Sequence, residues 1–147
     1  SAISDGAAAL VMMRLSEAER RGLKPIAKIV ATAAHAHEPA YFTTAPVPAM
    51  RKVLEKARWE KGDVDLWEIN EAFAMVPMVA IKELSLSHDV INVNGGACAL
   101  GHPIGASGAR IMVTLLSALE KHDLKKGVAS LCIGGGEATA VALERMN

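Results

Sequence analysis

Three short segments of this chain hold residue types that do chemistry, at spacings that would let them act. Cys132-Ile133-Gly134-Gly135-Gly136 sets a thiol directly before three glycines. A thiol titrates near 8.5 in water and becomes a usable base or acid when its surroundings lower that value. Most lone buried cysteines are inert packing, but a core strand has no need of three glycines. The second segment, Asn92 to Arg110, reads Asn-Val-Asn-Gly-Gly-Ala-Cys-Ala-Leu-Gly-His-Pro-Ile-Gly-Ala-Ser-Gly-Ala-Arg. Glycines before a helix let backbone approach a ligand or another helix, and free N–H groups at a helix start favour an anion. Spacing alone serves ligand approach and tight strand-to-helix packing equally well. Within it, His102 precedes Pro103, which suits a first helical position. A neutral ring projecting there could donate to charge developing on a substrate oxygen; taken by itself it reads as an exposed cap. The third segment is Asn70-Glu71-Ala72-Phe73. An asparagine amide at a strand end can hold a water or an oxyanion, or simply cap the helix that follows.

Other chemistries fit less well. No Gly-Lys-Ser/Thr follows the glycines, and Gly101, Gly105 and Gly108 do not give the dinucleotide spacing. Cys98 and His102, four apart, with Cys132 distant, offer at most three metal ligands and no paired Cys-x-x-Cys element, so no metal site is assigned.

These residues need elements to hold them. Small and apolar residues from Ala7 to Met13 read as a buried strand, followed by a short helix around Ser16 to Arg21, with Ser16 and Glu19 at capping-box spacing. Ile26 to Ala34 is strand-like, and His35 to Pro48, with three prolines, is loop. Val47, Met50, Val53, Leu54 and Ala57 recur at helical spacing. Leu66 to Ile69 is a short buried strand, then a helix from Glu71 to Leu84 contains Pro77, which kinks it or marks an irregular first turn. Val90 to Val93 is another short strand. Pro103 to His122 holds a long helix, and strands Val128 to Ile133 and Ala138 to Leu143 close as a hairpin around the glycines. Strands alternating with helices predict an α/β layered sheet ending in an antiparallel pair.

Composition narrows the class. The 147 residues, 51% hydrophobic, suffice for one core of ordinary size. Lys plus Arg equal Asp plus Glu at 16 each, and only 3% of residues are aromatic. Neither the basic surplus nor the stacking platforms that nucleic acid demands are there, so no nucleic acid and no membrane surface is expected as partner. Two cysteines make no disulfide framework, and no charged-then-apolar leader precedes them, so a reducing cytoplasm is the expected compartment. No apolar run reaches the ~20 residues of a membrane span.

Asn-Glu-Ala-Phe, Asn-Gly-Gly-x-x-x-x-Gly-His-Pro-x-Gly-x-Ser-Gly and Cys-x-Gly-Gly-Gly occur here in that order. Together they resemble the thiolases, CoA-dependent acyltransferases with a duplicated fold, over nearly the whole chain. The resemblance implies the C-terminal half of that fold, a mixed sheet of the five-stranded type covered by helices. Residues 1–24 would end the N-terminal half and 25–147 form the C-terminal domain. It further implies that Cys132 takes a proton from the methyl of acetyl-CoA and returns it to the leaving thiol. His102 would donate to the thioester oxygen as it becomes an enolate, and Asn70 would hold the water completing that oxyanion hole. The N–H of Gly134 would serve a second hole around the acyl-enzyme. Ser1 and Ile3 match a small-residue segment lining the CoA channel, and Ala72 and Phe73 match positions near the pantetheine end. The implied reaction joins two acetyl-CoA to give acetoacetyl-CoA plus CoA, with coenzyme A as substrate and product and no further cofactor.

Two departures stand against the pattern. Nothing here matches the family's nucleophilic cysteine, which belongs to the N-terminal half, so this chain alone is expected to be inactive and to be one piece of a longer protein. Glu137 follows the triple glycine where many members carry an apolar residue; it would disfavour a Cys132 thiolate if close, and the expectation is that it faces solvent. The missing half should pack against this one, in a homodimer or homotetramer. Two other readings are a non-catalytic CoA- or lipid-binding relative and a generic phosphate-binding α/β module.

Overall fold

A computed structural model describes residues 1–146. Four strands, β1 (Ala27–Ala36), β2 (Leu66–Ile69), β3 (Lys126–Cys132) and β4 (Glu137–Arg145), form one mixed sheet in the order β1-β4-β3-β2. β2 and β3 are parallel, with Ile69 opposite Ser130, while β4 runs antiparallel to both β3 and β1. The parallel pair needs a crossover, and the chain from 70 to 125 supplies it.

Five helices accompany the sheet: α1 (Leu15–Arg20), α2 (Pro46–Ala57), α3 (Met75–Leu84), α4 (Ala97–Leu100) and α5 (Ser107–Lys121). Strand alternation sorts the core into two clusters, as a period of two requires. Trp67, Ile69, Val128, Cys132, Ala138, Ala140 and Ala142 point toward α2 and α3. Leu66, Ala129 and Leu143 point toward Ile111, Leu115 and Leu119 of α5.

The expected α/β layering is what the chain adopts, with differences in detail that have physical causes. The fifth strand is reduced to a single parallel bridge between Ile91 and Trp67, because the chain turns through a 3-10 segment at His88–Val90 and enters the left-handed region at Asn92. Ala7 to Met13 forms no strand and lies exposed for most of its length, since no strand of this sheet runs beside it. Ser16 does not cap α1: the N-cap is Arg14, one residue before the helix, and no side chain satisfies its first N–H groups. The proline-rich stretch is not all loop, because Pro39–Thr44 winds as 3-10 helix and α2 starts on Pro46, whose fixed φ suits a first turn. Pro77 is the third residue of α3, where no intrahelical N–H bond is lost, so it marks a helix start and not a kink.

Candidate active site at the carboxyl ends of the parallel strands

Because β2 and β3 are parallel and in register, Asn70 and Cys132 leave the sheet at the same end, the end at which open α/β sheets receive ligands. The Asn70 N–H extends the ladder by one bond, donating to the Ser130 carbonyl at 2.9 Å. Its side chain is buried at 1% exposure. Nδ2 lies 3.4 Å from His102 Nε2, and Oδ1 has no partner among the described residues. The geometry thus joins two of the three motif segments directly.

His102 is held from both sides. Its N–H donates to the Ala2 carbonyl at 2.7 Å, and Nδ1 lies 2.6 Å from the fully buried Ser107 hydroxyl. Burial, reinforced by the positive charge of Arg110, holds the imidazole below its ordinary pKa, which favours the neutral ring. Pro103 is not the first residue of α5, which begins at Ser107; a turn at 104–106 separates them. The imidazole therefore sits one turn ahead of the helix instead of capping it.

Cys132 ends β3, 7% exposed. Burial pushes its thiol up, opposed by a backbone hydrogen bond. The expectation that its surroundings lower the pKa is therefore not met by this chain's own residues, which bring desolvation and no facing cation. After it, Ile133 N–H donates to the Glu137 carbonyl at 2.7 Å, and Gly136 adopts φ +100° with the His37 carbonyl occupying the space of any Cβ. Only glycine meets both demands, so the turn is fixed against the end of β1. Gly134 is exposed within this turn, beside the thiol in sequence, and Glu137 is exposed on β4.

The four residues matched to a CoA channel are partly gathered. The Ser1 hydroxyl donates to the Ala72 carbonyl at 3.0 Å, which lays the amino-terminal segment between Ala72 and His102. Phe73 is 53% exposed and stacks edge-on with Phe42 at 6.2 Å. Ile3 is 83% exposed. Cys98 is exposed on α4 and apart from Cys132. Among the described residues no group of three or more His, Cys, Asp or Glu side chains stands close enough to hold a metal ion.

Several residues that shape the site were not singled out by the sequence reading. The Asn92 side chain accepts from the Ile69 N–H and donates to its carbonyl, both at 2.8 Å, doing for β2 what a fifth strand would do. The Glu71 carboxylate accepts from Asn92 Nδ2 and from the Cys98 N–H, each at 3.0 Å, and fills the space where Gly96 lacks a Cβ. This contact explains why the glycine pair and the Asn-Glu dipeptide go together: one is the mould of the other. Beneath them Glu68, 2% exposed, lies 3.5 Å from Arg110, whose Nε and Nη2 are buried and unpaired among the described residues. Burial raises Glu68 to about 7 despite Arg110, with Glu71 adding to the rise. The signal for Glu71 was its place in the motif; Glu68 gave none beyond a charge inside a buried strand.

Comparison with known proteins agrees with this fold. The family described as "Thiolase, C-terminal domain" matches residues 23–145. The chain is 53% identical over 146 residues to an acetyl-CoA acetyltransferase of Allochromatium vinosum, covering 99% of this chain and 37% of that protein. It is 52% identical to the cytosolic acetyl-CoA acetyltransferase of Mus musculus, covering 99% of this chain and 36% of the relative. The crystal structure of the Bacillus anthracis acetyl-CoA acetyltransferase superposes with a TM-score of 0.89 at 46% identity, covering 91% of this chain and 34% of that one. The chain thus spans little more than a third of the length of the relatives it matches.

Proposed function

The chain belongs to the thiolase family, as its C-terminal half, and from that membership we propose that it forms part of an acetyl-CoA acetyltransferase. The reaction is the reversible Claisen condensation of two acetyl-CoA to acetoacetyl-CoA and CoA, with coenzyme A as substrate and product. The observation that carries the reading is the contact of Asn70 with His102 at the end of the parallel strand pair where β3 also delivers Cys132.

In this scheme the nucleophile that carries the first acetyl group lies in the N-terminal half. Cys132, as thiolate, takes a methyl proton from the second acetyl-CoA. The C–H electron pair passes into the thioester, and the enolate oxygen accepts from His102 Nε2–H and from a water held by Asn70. The carbanion then attacks the acyl-enzyme carbonyl, Gly134 N–H stabilises that second oxyanion, the carbon–sulfur bond breaks, and the proton on Cys132 passes to the departing thiolate. A raised Cys132 pKa suits a group that gains and returns one proton per turn, because the thiolate forms only when another sulfur accepts its proton. Preorganised donors aimed at the enolate contribute several kcal/mol in such a site.

Ser1, Ile3, Ala72 and Phe73 would line the channel for the CoA arm, with residues 1–24 ending the N-terminal half and 25–147 forming this domain. Compartment and assembly follow the same reading: cytosolic, as the mouse relative's name states for that protein, and a homodimer or homotetramer. Retention of Asn70, His102 and Cys132 together favours an enzyme over a non-catalytic CoA binder, which needs none of them.

The test is CoA-dependent cleavage of acetoacetyl-CoA by the protein carrying both halves, compared with Cys132→Ala. We expect the variant to lose on the order of 10³-fold in kcat, the scale of a positioned acid/base. Cleavage that survives the substitution would overturn the assignment.

A further inference from the structure

We propose that Ser107 is a positioning residue that fixes the proton of His102 on Nε2, the nitrogen facing Asn70. This rests on the thiolase reading for its consequence but on geometry for its content. The Ser107 hydroxyl has a single hydrogen and two acceptors within reach: His102 Nδ1 at 2.6 Å and the Pro103 carbonyl at 3.0 Å. The Pro103 carbonyl already accepts from the N–H of Ala106 at 2.8 Å and of Ser107 at 2.9 Å, which fills both of its lone-pair positions. The shorter contact and the unfilled acceptor are both at Nδ1, so the hydroxyl donates there.

A neutral imidazole that accepts at Nδ1 carries its hydrogen on Nε2. Nε2 lies 3.4 Å from Asn70 Nδ2, an amide nitrogen that donates and cannot accept, so a hydrogen on Nε2 is not taken up by Asn70 and stays available to an incoming oxygen. The ring is also fixed in plane, since Ser107 is fully buried at the start of α5 and the His102 backbone is tied to Ala2. If the hydroxyl turned to the carbonyl instead, it would accept from Nδ1–H, and Nε2 would present a lone pair to an enolate. The choice made by one hydroxyl decides whether His102 attracts or repels the developing charge.

The experiment uses the protein carrying both halves, labelled with ¹⁵N-histidine, as parent, Ser107→Ala and Ser107→Thr. In the parent, the Nδ1 resonance of His102 should be that of an unprotonated nitrogen accepting a hydrogen bond. It should move to that of an unbonded or protonated nitrogen in Ser107→Ala and return in Ser107→Thr. The same three proteins are assayed for solvent deuterium exchange into the methyl of acetyl-CoA and for exchange of labelled CoA with acetyl-CoA. We expect Ser107→Ala to slow methyl exchange by about tenfold, a fraction of the loss of a full oxyanion donor, with CoA exchange and KM within about twofold and Ser107→Thr restoring the rate. An unchanged Nδ1 resonance in Ser107→Ala overturns the proposal, as does an equal fall in both exchanges or a threonine variant that restores neither readout. A parent that exchanges no methyl protons would defeat the thiolase reading, while the resonance would still decide the hydrogen bond.

Discussion

The face of the sheet turned to α2 and α3 buries Met50, Val53, Trp67, Ile69 and Val128, each no more than 1% exposed. The face turned to α5 is covered over β2 and part of β3, where Leu66, Ala129 and Leu143 meet Ile111, Leu115 and Leu119. Beyond α5 it is only partly covered: Ile29 and Met12 are exposed, and with Met112, Leu131 and Val141, half-buried against the α5 cluster, they line a groove of about 520 Å³. Ile29 there is 47% exposed. Both faces carry apolar side chains at alternate positions, so the pattern along the strands does not distinguish them. What differs is whether this chain supplies enough helix to cover each face. On the reading proposed above, in which an N-terminal half packs against this chain, the partly open face is where that half would lie, and the covered face is where this chain holds itself together.

The comparison can be broken most forcefully at Trp67. It is the largest side chain on the closed face and 1% exposed. Trp67→Ala leaves a cavity between the sheet and α2 and α3, and the loss should be about 3–5 kcal/mol of unfolding free energy, measured by denaturant titration. A loss below about 1 kcal/mol would mean that the closed face is not the seat of stability.

The α5 face has its own buried charge, and pH reads it. Glu68 titrates at about 7 in the folded chain against a reference of 4.5. A raised carboxyl pKa means that the folded state holds the proton more tightly, so this stabilisation is complete below pH 4.5 and lost as pH rises through 7. The drop attributable to Glu68 is at most roughly 3 kcal/mol. Glu68→Gln keeps the neutral shape and should flatten that slope; the unfolding free energies of parent and variant at pH 4.5 and 7.5 give the difference. Parallel curves would mean that Arg110, 3.5 Å away, keeps Glu68 ionised in the fold.

Much of this arrangement was legible in the residues, and the misses share a cause. Leu66 to Ile69, the terminal hairpin and α5 follow from periodicity alone, since each is decided by side chains on the element itself. Ala7 to Met13 has the composition of a strand but finds no strand of this sheet to pair with, so pattern and outcome part. Val90 to Val93 fails as a strand because Asn92 uses its side chain to satisfy Ile69 in place of a ladder. In the site, the motif residues were recognisable by type and order. The roles of Ser107 and Glu71, both of them motif residues, were not, because what they do depends on which acceptor or glycine the fold sets beside them.

The smallest effect on this chain's own stability gives the sharpest contrast. Leu131 lies on β3 one residue before Cys132, but points to the open groove while Cys132 points to the closed core. Leu131→Asp introduces a carboxylate where solvent already reaches. On this chain alone it should cost about 1 kcal/mol, because Leu131 is half-buried and only part of it packs against the α5 cluster. In the protein carrying both halves the same carboxylate would be buried without a partner, a change that costs several kcal/mol. The expected result is an isolated chain that still folds, slightly weakened, and a full-length protein that loses both its association between halves and its acetoacetyl-CoA cleavage. Should the substitution unfold the isolated chain, the groove would belong to this domain's own core. Should it leave the full-length protein intact, the missing half would have to sit elsewhere, and Cys132 would need its acyl-bearing partner from another direction.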